Sequence, residues 1–339
     1  MKGKLLLDVA ICIPARNEET ELPMLLTALE RLELGDDDQV HVCLLLDDCT
    51  DRSAAQATTY QARSRHRVII EQTASSNNAG LARHRAMLMG LAAVTATDGL
   101  LLTTDADSVP VSGWLRAMTS ALKLADVVVG RIVRRAERPS DLQDRIEAYY
   151  DHLFALRRQI DPVPWEATAT HHCSGGANLG IRAAAYRHVG GFQPLHSGED
   201  ARLLDDASRT GLRVRRDAAS VVHTSDRRTG RALAGLASAL RHLDTAEAGT
   251  VEVTHPADAA WQYRLHAAAR LAYIEDRLDM MATALGLTPD HVRGVARDCL
   301  NEEAFAMRIV PTAPGGMRCV SLPIAEAELV RLFGQAQAA

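Results

Sequence analysis

The run Leu100-Leu101-Leu102-Thr103-Thr104-Asp105-Ala106-Asp107 constrains the fold more than any other stretch. Apolar residues follow Gly99 without a break and then give way to two carboxylates one residue apart. Such a run reads as a strand buried on both faces, as in a parallel sheet. In open α/β sheets ligands sit just beyond the carboxyl ends of the strands, which is where Asp105 and Asp107 would lie. Residues i and i+2 share one face of an extended backbone, so both carboxylates could face one divalent cation, with water and substrate oxygens completing its shell. The competing reading is helix capping, because Asp is a good N-cap and Pro110 suits the first turn of a helix starting there.

The chain before this run repeats one pattern. Val9 to Pro14 is strand-like, Arg16-Asn17-Glu18-Glu19 is a polar turn, and Leu22, Leu25, Leu26, Leu29 and Leu32 recur at helical spacing. A second strand over 40–46 ends in Asp47-Asp48, a helix is expected over 53–65, a strand over 68–70 and a helix over 79–93. Strands alternating with helices of this length predict right-handed βαβ units. The fold class is therefore α/β, a mostly parallel sheet flanked by helices. Beyond the central run, helices are expected over 114–124 and 141–158, with a strand over 126–133. His171-His172-Cys173-Ser174-Gly175-Gly176 forms a glycine turn, a helix starts at Glu199-Asp200, and short strands fall at Val214 and Val221-Val222. From Gly230 the pattern is helical, over 233–243, 257–285, 288–307 and 324–333, with a loop over 311–316. The chain thus divides into residues 1–228 and a helical C-terminal region, 229–339.

Composition removes several function classes. A net charge of -5 over 339 residues gives no electrostatic footprint for nucleic acid. Six cysteines without a CxxC pair argue against a disulfide framework or a structural zinc site and fit a reducing, cytoplasmic setting. Leu5-Leu6-Leu7 is interrupted by Asp8, so it reads as the start of the first strand rather than a leader. No run of 18 apolar residues is present, so no transmembrane helix is expected. His171, His172 and Cys173 are adjacent, and neighbours in sequence rarely converge on one ion. A GxGxxG fingerprint and a Walker A loop are both absent.

Three strand tips carry acids: Glu18 and Glu19, Asp47 and Asp48, Asp105 and Asp107. Like charges repel, so stability alone gives no reason to gather them at one sheet edge. A bound cation, or a ligand presenting N–H and hydroxyl donors, would offset the repulsion.

In order, Ile13-Pro14-Ala15-Arg16-Asn17-Glu18-Glu19, Asp47-Asp48-Cys49-Thr50-Asp51, Gly80-Leu81-Ala82-Arg83, Asp105-Ala106-Asp107, Gly175-Gly176-Ala177-Asn178, Gly190-Gly191-Phe192 and Gly198-Glu199-Asp200 resemble the motifs of the family 2 glycosyltransferases, enzymes of the GT-A fold that use nucleotide-diphospho-sugar donors. The resemblance covers about residues 9 to 228 and implies roles. Pro14, Glu18, Asp47 and Arg83 would bind the UDP- or GDP-linked donor. Asp105 and Asp107 would be the DxD motif that holds Mn²⁺ or Mg²⁺ on the diphosphate, with Asp105 also facing the donor, and His223 would be a further metal ligand. Gly175, Gly176 and Asn178 would lie near the sugar and acceptor, and Asp200, with Glu199 beside it, would be the base of an inverting transfer. Cys49 departs from the small or polar residue common at its position. The tail lacks the membrane helices of polymerising members, which favours transfer of one sugar to the hydroxyl of a small or soluble acceptor, the tail shaping the acceptor site or a homodimer contact. The alternatives are a retaining transferase on the same fold, a nucleotidyltransferase releasing pyrophosphate, and a nucleotide-sugar-binding protein without turnover; intact Asp105, Asp107, Glu199 and Asp200 argue against the last.

Overall fold

The computed structural model describes residues 7–35, 38–74, 76–95, 98–135, 140–230, 235–313 and 316–338. The residues expected to open the first strand before Leu7, the first two of the helix expected over 233–243 and the middle of the loop expected over 311–316 lie outside the described residues.

Strands β1 (Asp8–Ala15), β2 (Gln39–Asp47), β3 (Arg67–Thr73) and β4 (Leu100–Thr103) alternate with helices α1 (Leu22–Glu30), α2 (Ser53–Arg63) and α3 (Ala79–Ala93), as the periodicity predicts. They are followed by β5 (Ser108–Pro110), α4 (Trp114–Ala121), β6 (Val127–Arg135), α5 (Asp141–Ile160), β7 (Leu179–Arg182), α6 (Ala183–Val189), α7 (Glu199–Arg209) and β8 (Val214–Ser225). One sheet of eight strands results, in the order β3-β2-β1-β4-β7-β6-β8-β5. Four of its seven strand pairs are parallel, and the antiparallel ones involve β7 and β5.

The pleat sorts β1 between two apolar layers. Val9, Ile11 and Ile13 face α1, α2 and α4, whereas Ala10 and Cys12 face α3, α6 and α7. Pro14 is tolerated in this interior strand because β4 stops first: Cys12 pairs with Thr103, the last β4 residue. The Cys12 carbonyl points to β4, accepting the Thr104 N–H at 3.4 Å. By period two the Pro14 nitrogen points the same way, past the end of the ladder, where no donor is needed.

Four expectations change. Pro110 does not open a helix: it lies in β5, paired with Val222, and α4 starts only at Trp114, so Asp105 and Asp107 cap nothing. The valines after 214 belong to one strand, β8, with an irregularity beside Gly130 and Arg131, rather than to two short ones. In the C-terminal part, α8 (Leu236–Leu243), β9 (Glu252–Thr254), α9 (Pro256–Ile274), α10 (Leu278–Leu285), α11 (Pro289–Arg297), α12 (Glu302–Ile309), β10 (Cys319–Ser321) and α13 (Leu322–Ala338) follow. The helices expected over 257–285 and 288–307 are each two, the first broken where Asp276 takes a φ of +54° and the second where Asn301 caps the start of α12, and β9 and β10 form an antiparallel pair.

This part packs on the sheet domain rather than hanging from it. Tyr149, Leu153 and Leu156 of α5 share a core with Ala259 and Ala260 of α9 and Leu322, Ala325 and Leu329 of α13. Arg270 of α9 is buried and bonds both oxygens of Asp161, just past α5, at 2.5 Å and Glu303 of α12 at 2.8 Å.

Candidate active site

Because β1, β2 and β4 are parallel, with Ala15 beside Leu46 and Cys12 beside Thr103, their carboxyl ends place all three acidic loops along one edge. The structure shows how much of the repulsion the protein relieves itself. Asp47 is buried and accepts the backbone N–H and hydroxyl of Ser76, both at 2.9 Å. Glu18, also buried, receives the fork of Arg227 at 2.5 Å on each oxygen. Glu19 takes the backbone N–H and Nε of Arg52 at 3.0 and 3.1 Å, and Asp48 lies 3.5 Å from Arg16. The Cys49 thiol ties the loop after β2 to the end of β1, receiving the Asn17 N–H and donating to the Ala15 carbonyl, each at 3.4 Å.

Arg83, on α3, organises the centre. Asn78 caps this helix by accepting the Leu81 N–H at 2.9 Å, so the helix starts rigidly and carries Arg83 over the end of β4. Its Nη2 donates to Asp105 at 2.8 Å, its Nη1 to the Gly176 carbonyl at 3.1 Å and to Thr103 at 3.2 Å, and its Nε to Glu199 at 3.3 Å. Burial alone would lower its pKa, but Asp105, Glu199 and Asp200 outweigh it and hold the guanidinium charged. Four of its five N–H donors join the Asp105 loop to the glycine turn and α7. Gly176 is required there, since a Cβ on it would sit 2.6 Å from the Arg83 Cζ.

Asp200, half-buried in the first turn of α7, accepts the Gly176 N–H at 2.9 Å on Oδ2 and its neighbour Ala201 N–H at 2.7 Å on Oδ1. Gly175 adjoins it, its Cβ position 3.8 Å from the Asp200 Oδ2. Asp107 meets Arg227 at 3.2 Å and the Thr224 hydroxyl at 3.4 Å. Burial pushes its carboxyl up to about 7; Asp105, Glu18 and Glu21 add to the rise and Arg227 opposes it. Asp107 shares the one Arg227 guanidinium with Glu18, whereas Asp105, with its side chain 36% exposed, opens to solvent. That charge deficit fits a divalent cation, for which Asp105 and Asp107 would supply two oxygens and a donor diphosphate and water the rest.

Two expected site residues are not brought to this cluster. Asn178 is completely buried, and its amide is used up: Nδ2 donates to the Arg131 and Ser220 carbonyls at 2.9 Å each, and Oδ1 accepts the Trp114 indole N–H at 2.8 Å. It locks the turn rather than facing a sugar. Thr224 turns toward Asp107, so by strand alternation its neighbour His223 points to the opposite face. Among the described residues no group of three or more His, Cys, Asp or Glu side chains could hold a metal ion unaided. Sequence reasoning missed Ser76 and Arg227, which complete the site. The pair Arg227-Arg228 just after a strand was the available signal for the second.

Comparison with known proteins gives the family and the fold. The model of glycosyl transferase family 2 matches residues 10–188, more than half of the chain. The chain is similar to the pre-mycofactocin glycosyltransferases of Mycobacterium tuberculosis strains CDC 1551 / Oshkosh and H37Rv, 28% identical over 225 residues in each case. That match takes in 66% of this chain and 43% of each relative, so the similarity spans less than half of the relatives' length. Among solved structures, residues 1–349 of TarS from S. aureus in complex with UDP-GlcNAc superpose with a TM-score of 0.52 at 14% identity, covering 98% of this chain and 91% of that one, a likeness of fold. No helix among the described residues is long and apolar enough to cross a membrane. The chain belongs to glycosyl transferase family 2 and has the GT-A fold.

Proposed function

We propose that this chain is a metal-dependent, inverting glycosyltransferase that moves one sugar from a UDP-linked donor to a hydroxyl of a small or soluble acceptor. One observation carries the reading: a single buried guanidinium, Arg83, holds Asp105, the Gly176 carbonyl and Glu199 together, fixing the donor-side carboxylates against the turn and helix that present Asp200. The UDP assignment is supported by the UDP-GlcNAc in the TarS structure of the same fold.

In this reading Asp105 and Asp107 hold Mn²⁺ or Mg²⁺, which when bound neutralises charge building on the leaving diphosphate. Asp47, fixed by Ser76, Glu18, fixed by Arg227, and Pro14 would line the nucleotide pocket. The Gly176 N–H and the start of α7 keep Asp200 in place as a carboxylate. It takes the proton of the acceptor hydroxyl as that oxygen attacks the sugar C1, while the bond from C1 to the diphosphate breaks with its electron pair on the leaving oxygen. Glu199 orients this centre through Arg83. The six cysteines are all unpaired, which supports a cytoplasmic setting.

Asp200→Asn tests the base. Its amide oxygen can still accept the Gly176 N–H, so donor binding is expected to survive while transfer falls about 10²-fold or more. Near-normal turnover would remove Asp200 from the mechanism, and retention of anomeric configuration in the product would favour the retaining alternative.

A further inference from the structure

A cavity of about 310 Å³ opens beside the proposed acceptor side of the site. Its wall includes Ser174, next to Gly175, and Ala201, Leu204 and Asp205 of α7, beginning one residue after Asp200. The opposite wall, from the end of α5 and from β8, is crowded with arginines, and of the carboxylates in the lining only Glu166, whose charge acts on Arg158 and Arg216, is bonded to no guanidinium among the described residues. Asp161 and Glu303 bind Arg270. Asp205 binds Arg209 at 2.7 Å. Glu166 accepts the backbone N–H of Arg216 at 2.6 Å and of Ala167 at 3.4 Å.

Among the described residues no carboxylate is bonded to the guanidinium groups of Arg157, Arg158 and Arg216. The Arg216 Nε and Arg158 Nη1 are buried and donate to nothing. Arg216 lies 4.8 Å over the Phe154 ring, and Arg157 lies over Phe154 and Tyr263 at 5.6 and 5.8 Å, so the guanidiniums are held in place by aromatic faces rather than by anions. Leaving a buried charged donor unpaired is costly, and planar guanidiniums match the oxygens of phosphate and carboxylate.

We propose that this cavity binds an anionic oxygen group, phosphate or carboxylate, carried by the sugar acceptor, so that the hydroxyl to be glycosylated is presented to Asp200. The assignment to the acceptor rests on the reading of Asp200 as base; the anion site itself does not. The charge state of the surroundings agrees: burial pushes Arg216 down to about 10, with Arg157 adding to the fall, and burial followed by Arg216 lowers His171 to about 4.

The test is calorimetric titration of the full chain with inorganic phosphate and, separately, with acetate, each with and without saturating UDP and Mg²⁺. One probe is expected to bind, with UDP present or absent, and its affinity to fall tenfold or more in both Arg216→Gln and Arg158→Gln, whose folding is checked by circular dichroism. The probe that binds distinguishes a phosphorylated from a carboxylated acceptor. No binding of either probe, or undiminished binding in both folded variants, would overturn the proposal. Loss of probe binding once UDP is bound would assign the cavity to the donor diphosphate and overturn the acceptor assignment. Arginine-dependent probe binding in a chain that does not bind UDP would leave the anion site standing while the donor reading failed.

Discussion

Arg83 serves four partners with one guanidinium, and no other side chain could do so. A lysine offers a point charge without the planar fork, and a methionine would leave Asp105 and Glu199 without their cation. Glu199 is buried, so removing its partner strands a carboxylate out of water. Arg83→Met is expected to destabilise the fold by about 3–5 kcal/mol, the usual penalty for breaking a buried pair on one side. Chemical denaturation measures it, and a loss below about 1 kcal/mol would mean that the site is not held by this residue. At this scale the sequence is only partly readable. Arg83, His84 and Arg85 stand together in the first half of α3, and which of them turns to the site depends on Thr103, Gly176 and Glu199, far away in the chain. Arg227 and Glu18 are 209 residues apart, and no local pattern pairs them. Asn178 is a related case: the resemblance implies a place near the sugar, whereas carbonyls of β6 and β8 and the Trp114 indole take up its amide.

Elements were easier to read where burial and period agree. The strands β1, β2 and β4 and the helix α3 follow from continuous apolar runs bounded by polar turns, and α3 has the bounds that its spacing predicts. Legibility fails where tertiary pairing decides. Residues 108–110 are a strand because Thr224 and Val222 pair with them, and α9 stops at a non-glycine residue of positive φ that no turn signal marks. Glycines between elements report close approach rather than flexibility. A Cβ on Gly80 would lie 2.0 Å from the Gln193 carbonyl oxygen, and one on Gly176 would displace Arg83. Gly176→Ala is therefore expected to cost about 1–3 kcal/mol through overpacking. It should also weaken donor binding by moving the cation away from Asp105. Gly249→Ala, at a position with open space, is the control and should change neither. Equal stability of the two variants would remove the close-approach argument.

Across the whole molecule, the C-terminal helices and the sheet domain share one arginine-rich seam, and this shapes the response to acid. Burial pushes His266 of α9 down to about 3, with Arg157, Arg270 and Arg209 adding to the fall, and His171 is lowered to about 4. Both are neutral when folded and gain a proton on unfolding below the ordinary histidine value of about 6.5. The unfolded state then binds more protons, so stability falls as pH drops from about 6.5 toward the folded values, by about 1.4 kcal/mol per pH unit for each group. Denaturant titrations at pH 7 and pH 5 should show this loss, and His266→Gln should show a shallower one; the same slope in the variant would mean that His266 is protonated in the fold. The seam was invisible in the sequence because its arginines come from α5, β8 and α9 and meet only through packing. By contrast, the acidic strand tips were legible, since parallel strands carry their carboxyl ends to one edge, the edge at which the donor is proposed to bind. The most direct test of that assignment is calorimetric titration of the intact chain with UDP, with and without Mn²⁺, alongside Asp107→Ala. UDP affinity should rise at least tenfold with Mn²⁺, and the rise should vanish in the variant; UDP affinity indifferent to Mn²⁺ and unchanged in Asp107→Ala would contradict a metal-held donor at the end of β4.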